Sequence, residues 1–325
     1  MDPTRCLRSV QRAASGLRIR SFRPIRAGWD FFVLEVNGEW MFRFPRRPEG
    51  IVQLKREAAF LEKASPNLPV SVPRYEWICW DPALPFGGYR KVTGLSLSDA
   101  RSIPPDVSAD LGRFLSALHS LPPGEVFPSD SVEQPDWVAV WQRRVRRWEG
   151  RLLKELDPFL EAAVRLWCRR LLEMLDSPSL RLTPIHGDLS ADHVLIRNGR
   201  LSGVIDWGDA CLGDPALDFA ALWHELGETF AREVAKHGTG GREGTFWLRA
   251  DLYRRLAPLH GLLHALERGD RRLWEANMRR LKEVAVQAGE TGEPKGDTPP
   301  PGMGRCGPFP QRDRGPFGEV GDEGS

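Results

Sequence analysis

The sequence has few cysteines and no long apolar run. Its five cysteines are spread over 325 residues without a CxxC pair, which gives no basis for a disulfide framework and is typical of reduced thiols in a cytosolic protein. No stretch of eighteen apolar residues occurs, and the N-terminal stretch MDPTRCLRSVQRAAS contains no apolar segment. We therefore expect neither membrane insertion nor secretion, and a cytoplasmic location.

An excess of charge of one sign is also missing. The net charge of +2 does not support a dedicated nucleic-acid-binding protein. Basic residues cluster in QRRVRRWEGR, but acidic residues elsewhere balance them, which favours the solvent-facing side of a helix. With 41% hydrophobic side chains, a chain of this length exceeds one compact core, so we expect two packed lobes and some unstructured sequence.

Residues 17–92 are predicted to form a small sheet with one inserted helix. The strand candidates LRIRSFRPI, FFVLEV and EWMFRFP come first, and Asn37-Gly38 between the last two is a strong signal for a two-residue hairpin. A helix is predicted from about Glu49 to Ala64, because its apolar residues recur on one face. Two further strand candidates, RYEWICW and GYRKV, complete this region.

From Asp106 onward apolar residues recur mainly at helical spacing, which predicts a mostly helical region. The predicted helical stretches cover residues 107–121, 136–175, 218–237 and 248–269, and a last helix ends near residue 287. One exception lies among them, where VLIR and LSGVID flank Asn198-Gly199, a second hairpin signal. Residues 289–325 are rich in glycine and proline and are predicted to be a disordered tail.

The segment around the second hairpin concentrates acidic residues and histidines. Asp188 precedes the first strand, His193 stands at its start, and Asp206 ends the returning strand. If the strands pair, His193 and Asp206 meet at one edge, with Asp188 in the loop beside them. Carboxylates that meet at one edge repel each other unless a cation lies between them, and hard oxygen ligands suit magnesium, which also binds substrate phosphates. The segment therefore predicts a metal–phosphate site.

HGDLSADHVL followed by GVIDWGDACLGDPALDF resembles the aminoglycoside phosphotransferase family of protein-kinase-like enzymes, and most of all its 2''-aminoglycoside and macrolide members. The resemblance implies an α+β, bilobal kinase-like fold, with a nucleotide-binding lobe at 17–92 and a helical, acceptor-binding lobe at 95–287. It implies transfer of the γ-phosphoryl group of ATP or GTP to a hydroxyl of a small molecule. In that reaction Asp188 is the catalytic base, and His193 and Asp206 bind Mg²⁺.

The resemblance also assigns nucleotide-binding residues in the first lobe. Arg43 stands where protein kinases carry a lysine beside the phosphates, and Glu57 on the inserted helix is expected to pair with it. Gly28 lies in the turn RAGWD, at the place of the kinase glycine-rich loop, but the turn has one glycine and a plain turn is the alternative. Lys91 and Thr93 lie in the expected hinge, for which an ordinary linker is the alternative.

Several polar residues in the second lobe also have purely structural interpretations. His186 is expected to hold the loop by hydrogen bonding. Asp209 is expected to cap a turn, because GDA is a turn-like sequence. Asp214 and Asp218 are expected to order the following loop and start the next helix. In aminoglycoside-modifying members, acidic side chains on these helices bind the amino groups of the acceptor. Asp218, Glu225 and Glu228 lie in that region.

Alternative functions remain open at the level of the sequence. The favoured acceptor is an aminoglycoside or macrolide antibiotic, but choline or homoserine kinases share the fold. A non-catalytic, nucleotide-binding pseudokinase is the alternative from another class, because of Arg43 and the glycine-poor turn. A protein kinase is disfavoured, since nothing between Trp207 and Asp218 resembles an activation segment ending in APE.

Overall fold

The structure is a computed structural model that describes residues 1–25, 30–127, 136–238 and 244–290. The turn that contains Gly28 and almost all of the predicted disordered tail, from residue 291 to 325, lie outside the described residues. Within these ranges, no helix is both long and apolar enough to cross a membrane.

The chain begins with a helix that the sequence analysis did not predict, α1 (Pro3–Ala13). Asp2 caps it by accepting hydrogen bonds from the backbone N–H groups of Thr4 and Arg5, and proline occupies the first helical position, where no N–H is needed. Cys6 and Val10 are fully buried and belong to the same apolar cluster as the strand residues described next.

A five-stranded antiparallel sheet follows, with the strand order β1-β2-β3-β5-β4. Its strands are β1 (Phe22–Ile25), β2 (Phe31–Val36), β3 (Trp40–Pro45), β4 (Tyr75–Cys79) and β5 (Phe86–Arg90). Asn37 and Gly38 form the predicted hairpin with φ values of 55° and 71°, which a two-residue turn between twisted strands requires. Helix α2 (Pro48–Ala64) lies between β3 and β4 in the sequence, close to its predicted bounds.

The predicted strand over residues 17–25 is only partly correct, because regular pairing begins at Phe22. The side chain of Asn37 forms hydrogen bonds with the backbone of the segment before β1. Its Oδ1 accepts from Arg20 N and Ser21 N at 2.7 and 3.2 Å, and its Nδ2 donates to Arg18 O at 2.9 Å. The turn residue therefore fixes this segment without a strand.

Alternation along the strands gives the sheet two chemically different faces. Leu34, Val36 and Phe42 belong to the apolar cluster that includes α1. On the other face, Arg43 of β3 contacts Glu57 of α2 and Asp206 of the second half of the chain. The sheet thus carries one buried cation toward the segment that contains the predicted site.

The rest of the described chain is mainly helical, which confirms the predicted α+β class. Its helices are α3 (Asp106–His119), α4 (Pro123–Val126), α5 (Trp137–Arg151), α6 (Pro158–Leu175), α7 (Ala216–Leu226), α8 (Glu228–Lys236), α9 (Phe246–Arg268) and α10 (Arg271–Glu290). The amphipathic stretches predicted from 136 to 175 are α5 and α6. The second begins at Pro158, where Asp157 caps it by accepting from Leu160 N.

Five short strands surround the predicted site. The hairpin formed by β8 (Val194–Arg197) and β9 (Arg200–Val204) agrees with the prediction, and β6 (Leu95–Ser96) pairs with β8. Two strands were not predicted, β7 (Thr183–Ile185) and β10 (Cys211–Gly213), which pair antiparallel with each other. The β7–β10 pair joins the chain just before His186 to the chain just after Ala210, so it holds together the two ends of the segment that contains the site.

Candidate active site

The β8–β9 hairpin brings together the three residues that were predicted to meet. Val194 pairs with Val204, and the N–H of Ile205 donates to the carbonyl of His193 at 3.0 Å, so the two ends of the hairpin adjoin. His193 Nδ1 lies 3.7 Å from Asp188 Oδ2, and its Nε2 lies 3.5 Å from Asp206 Oδ2. The Asp188 and Asp206 side chains are 56% and 49% exposed, so both carboxylates are open to ligands.

A hydrogen bond fixes which nitrogen of His193 can bind a cation. Nδ1 donates to the backbone carbonyl of Asp188 at 2.8 Å, so in the neutral ring the lone pair is on Nε2, which faces Asp206. The Asp206 carboxylate beside this nitrogen fits magnesium, for which few protein ligands suffice because waters and phosphates complete the shell. The carboxylate supplies the hard donor and the charge.

Asp206 has an unusual backbone and a perturbed side chain. Its φ is +64°, a left-handed conformation that non-glycine residues seldom adopt and that is concentrated at functional sites. Burial in the cleft acts to raise the pKa of Asp206, but the positive charge of Arg43 and the neighbouring His193 outweigh it and hold this pKa below its usual value. The carboxylate therefore stays charged at neutral pH.

The predicted pair between Arg43 and Glu57 is present. Arg43 Nη1 lies 2.5 and 2.7 Å from the two carboxylate oxygens of Glu57, and Nη2 lies 2.8 Å from Asp206 Oδ1. Burial alone would lower the pKa of Arg43, but the Glu57 and Asp206 charges hold it well above the ordinary value. A guanidinium binds two carboxylates through two separate nitrogens, which a single ammonium nitrogen does not reproduce.

His186 connects the loop of Asp188 to the chain just before Asp206. The N–H of Asp188 donates to His186 Nδ1 at 3.3 Å, and His186 Nε2 donates to the carbonyl of Ile205 at 3.1 Å. This arrangement requires the neutral ring, and burial lowers the pKa of His186 accordingly. His186 therefore holds the loop by hydrogen bonding, as expected, through one bond to the Asp188 N–H and one to the Ile205 carbonyl.

Asp218 binds the backbone of the same loop and is not available to an acceptor. It is fully buried. Its two oxygens accept hydrogen bonds from the backbone N–H groups of His186 and Gly187 at 3.1 and 2.9 Å, and from His119 Nε2 at 2.9 Å. Of the two interpretations open at the sequence level, ordering of the loop is the one the structure shows.

The sequence analysis treated Asp209 as a turn residue, but in the structure its charge interacts with those of Asp188 and Asp206. We call these three residues the cleft aspartates and the space that they face the cleft. The Asp209 side chain is exposed within the cleft, yet the surrounding protein displaces water and raises its pKa to about 6, with Asp188 and Asp206 adding to the effect. Its backbone packs against Gly187, where a Cβ would lie 2.5 Å from the Asp209 carbonyl oxygen and φ is +81°. Only a glycine fits this contact.

The two predicted hinge residues occupy a different place from this cluster. Lys91 Nζ lies 3.2 Å from Glu35 Oε1 on β2, and the backbone N–H of Lys91 donates to the backbone carbonyl of Glu39 at 2.7 Å. The carbonyl of Thr93 accepts from Ser202 Oγ on β9 at 3.0 Å. Lys91 is therefore attached to the sheet and Thr93 to the hairpin, as in a segment that connects the two.

A family model described as the phosphotransferase enzyme family matches residues 21–259 of the chain. Viomycin phosphotransferase of Streptomyces vinaceus is 30% identical over 181 aligned positions, and the match covers 50% of this chain and 61% of that protein. The chain thus matches less than two thirds of the length of this relative. The uncharacterized protein YcbJ of Bacillus subtilis is 26% identical over 236 aligned positions, and the match covers 66% of this chain and 74% of that protein.

Solved structures are similar over more of the chain. The GDP complex of wild-type aminoglycoside 2'-phosphotransferase-IIIa has a TM-score of 0.79 and 25% identity, and the match covers 89% of this chain and 100% of that chain. The GDP and kanamycin complex of APH(2")-IIia has a TM-score of 0.78 and 25% identity, with 86% and 98% covered. The predicted resemblance and the bilobal kinase-like fold are confirmed: the chain belongs to the phosphotransferase enzyme family.

Proposed function

We propose that this protein is a magnesium-dependent phosphotransferase that moves the γ-phosphoryl group of ATP or GTP to a hydroxyl of a small molecule. The observation that supports this most strongly is the position of His193 between the accessible carboxylates of Asp188 and Asp206, with Arg43 against Asp206 from the sheet. Phosphoryl transfer depends mainly on positioning and electrostatic stabilisation, which such a set supplies.

In this proposal Asp188 is the catalytic base. The acceptor hydroxyl oxygen forms a bond to the γ-phosphorus, the bond from that phosphorus to the bridging oxygen breaks, and the nucleoside diphosphate leaves. The hydroxyl proton passes to a carboxylate oxygen of Asp188, which is open to solvent. Its contact with His193 Nδ1, at 3.7 Å, is longer than the 2.8 Å contact between Arg43 and Asp206. General base catalysis of this kind contributes about 10²- to 10⁴-fold.

Asp206 and His193 Nε2 are the proposed magnesium ligands. When bound there, magnesium neutralises charge on the nucleotide phosphates. Arg43 adds a fixed positive charge on the sheet side, and Glu57 keeps it in place. Because Arg43 already contacts Asp206, the proposed cation and phosphate sites adjoin.

The nucleotide is proposed to lie against the face of the sheet that carries Arg43. Residues 17–92 form the proposed nucleotide lobe and residues 95–287 the proposed acceptor-binding lobe. Gly28, Lys91 and Thr93 are proposed to contact the nucleotide, the first over its phosphates and the other two at its base. Neighbouring structures of the fold that contain GDP support a nucleoside triphosphate as donor.

The proposed acceptor is an antibiotic of the aminoglycoside or macrolide type. Kanamycin is present in one neighbouring structure, and the relative from Streptomyces vinaceus is named for phosphorylation of viomycin. A metabolite kinase for choline or homoserine is the second candidate, because the same residues can serve either acceptor.

Nucleoside diphosphate release from Mg-ATP and Mg-GTP tests the proposal. The acceptor panel is kanamycin, viomycin, a macrolide, choline and homoserine, and the blank is the Asp188→Asn variant. Release that depends on an antibiotic and is lost in the variant is the expected result. Release with choline or homoserine alone would establish the metabolite kinase, and nucleotide binding without release for any acceptor would contradict the proposal.

A further inference from the structure

Helix α7 places two carboxylates along the loop that carries Asp188. We call residues 186–193 the Asp188 loop. Asp218 lies in the first turn of α7 and Glu225 in its last. Seven residues are almost two turns of an α-helix, so both side chains project from the same face, about 10 Å apart.

The two carboxylates contact the Asp188 loop on opposite sides of Asp188. Asp218 accepts from the backbone N–H groups of His186 and Gly187, which precede Asp188. Glu225 Oε2 accepts from the backbone N–H of Ala191, which follows it, at 2.5 Å. The loop is therefore attached to one helix both before and after Asp188.

The turn between Asp188 and His193 transmits the position of Ala191 to Asp188. The N–H of Ser190 donates to Asp188 O at 2.9 Å, and the N–H of His193 donates to Ser190 O at 3.0 Å. Ala191 itself is buried, and its carbonyl accepts from Ser96 Oγ at 3.1 Å. Its peptide is thus held on both sides, and Glu225 holds the amide side.

The electrostatic setting of Glu225 is unfavourable for an ordinary surface acid. Burial raises the pKa of Glu225, and the carboxylates of Asp192 and Asp188 raise it further, against the lowering effect of the Ala191 hydrogen bond. Burial removes water from this carboxylate, and the two like charges repel it. The hydrogen bond to Ala191 is the favourable contact that this position provides, and hydrogen bonds to a charged acceptor are the strong ones.

We propose that Glu225 is a positioning residue, which fixes Asp188 through the N–H of Ala191 and does not serve as an amine-binding residue for the acceptor. Helix α7 then holds the Asp188 loop at two points, Asp218 and Glu225. The inference rests on the proposed function in one respect, the role of Asp188 as the base.

Two substitutions separate positioning from acceptor binding. Glu225→Gln keeps an oxygen that accepts from Ala191 but removes the charge, and Glu225→Ala removes both. We expect kcat to fall about 10- to 100-fold in Glu225→Ala, because a displaced base is less effective. In Glu225→Gln we expect kcat near that of the wild type, and in both we expect little change in the acceptor KM. Glu233→Gln on α8, whose side chain is 42% exposed and pairs with Lys236, is the control.

The opposite pattern would overturn the inference. If Glu225 binds a cationic group of the acceptor, Glu225→Gln is as impaired as Glu225→Ala, and the acceptor KM rises in both. A wild-type kcat in Glu225→Ala would also refute the positioning role.

Amide hydrogen exchange on the full chain gives a readout that needs no turnover. We expect exchange at Ala191 N–H to become faster in Glu225→Ala and to stay slow in Glu225→Gln. The N–H of Ile205, which donates to His193 O, should keep its protection in both. Unchanged exchange at Ala191 in Glu225→Ala would refute the inference whatever the activity. Full turnover in Asp188→Asn would instead refute the proposed function and leave the exchange result as it is.

Discussion

Two groups of aspartates in the helical half of the chain differ in what surrounds them. We call Asp214 and Asp110 the scaffold aspartates. Asp214 is fully buried and accepts from Arg249 Nε at 2.6 Å, Arg249 Nη2 at 3.1 Å and the Tyr253 hydroxyl at 3.0 Å. Asp110 accepts from Arg200 Nε and Nη2 at 2.7 and 2.6 Å. Each of these carboxylates has its hydrogen bonds supplied by the protein.

Two of the cleft aspartates, Asp188 and Asp209, lack hydrogen bonds of this kind within the part of the chain that the structure describes, whereas Asp206 accepts one from Arg43 Nη2 at 2.8 Å. Asp188 has His193 Nδ1 at 3.7 Å as its ion-pair contact. Asp209 stands among other carboxylates, and its pKa is raised to about 6. The Asp188 side chain is 56% exposed, so water can satisfy it. Under the proposed function, groups that arrive with nucleotide, metal or acceptor would replace this water.

Loss of a scaffold aspartate should have the largest effect on folding. Asp214→Ala leaves the guanidinium of Arg249, which is almost completely buried, without its carboxylate. Removal of one partner of a buried pair costs about 3–5 kcal/mol. We expect the free energy of unfolding in urea to fall by that amount, and a change below about 1 kcal/mol would remove the distinction between scaffold and cleft.

A cleft substitution should instead leave folding intact and remove activity. In Asp206→Asn the charge that faces His193 Nε2 and Arg43 is lost, while the side chain keeps its size. We expect turnover to fall about 10²- to 10³-fold, the range for loss of one preorganised electrostatic contact. The measurement is acceptor-dependent turnover as a function of magnesium concentration, with the midpoint of thermal unfolding as the control for folding.

The second scaffold aspartate predicts a specific dependence on pH. Hydrogen bonds from Arg200 are the main reason that the pKa of Asp110 falls from 3.8 to about 2. A lowered carboxyl pKa stabilises the fold above pH 3.8, and this contribution disappears as the pH falls through about 2. Because the Arg200 side chain is 56% exposed, solvent screens the pair, and Asp110→Asn should be about 1 kcal/mol less stable than the wild type at pH 7.

The difference between wild type and Asp110→Asn should shrink steadily between pH 4 and pH 2. Urea unfolding at a series of pH values measures it. A difference that is constant over this range would show that packing, and not the Arg200 contact, accounts for the loss.

The smallest expected effect is that of Asp209→Asn, which should increase the stability of the fold. A raised carboxyl pKa means that ionisation of Asp209 opposes folding, and the penalty grows as the pH rises from 3.8 through about 6. Asp209→Asn removes this penalty, so the variant should gain more thermal stability at pH 8 than at pH 4. A variant that is less stable than the wild type at pH 8 would contradict the contrast between cleft and scaffold.

Local signals explain which parts of the site were predictable. Asn198-Gly199 determines the hairpin, because both residues adopt positive φ, and the hairpin then brings His193 to Asp206. The pair of Arg43 and Glu57 followed from the strand–helix arrangement of a recognisable family. These are contacts between residues close in sequence or fixed by a known pattern.

Other features depend on tertiary packing that the sequence does not display. Arg43 and Asp206 are 163 positions apart, and their contact depends on how the sheet lies against the hairpin. Strands β7 and β10 have three residues each, too few to show alternation. Asp209 resembled a turn residue, since its cleft position results from packing against Gly187. Helix α1 had a signal that was overlooked, Asp2 followed by Pro3.

One measurement tests the central claim most directly: acceptor-dependent nucleoside diphosphate release by the wild type and by Asp188→Asn, with the same acceptor and equal amounts of folded protein. The substitution changes an exposed carboxylate, so both proteins should unfold at the same temperature and bind Mg-nucleotide alike. The account predicts that release falls about 10²- to 10⁴-fold in the variant. Release that stays within about twofold of the wild type, far from the loss expected on removal of a general base, would contradict it.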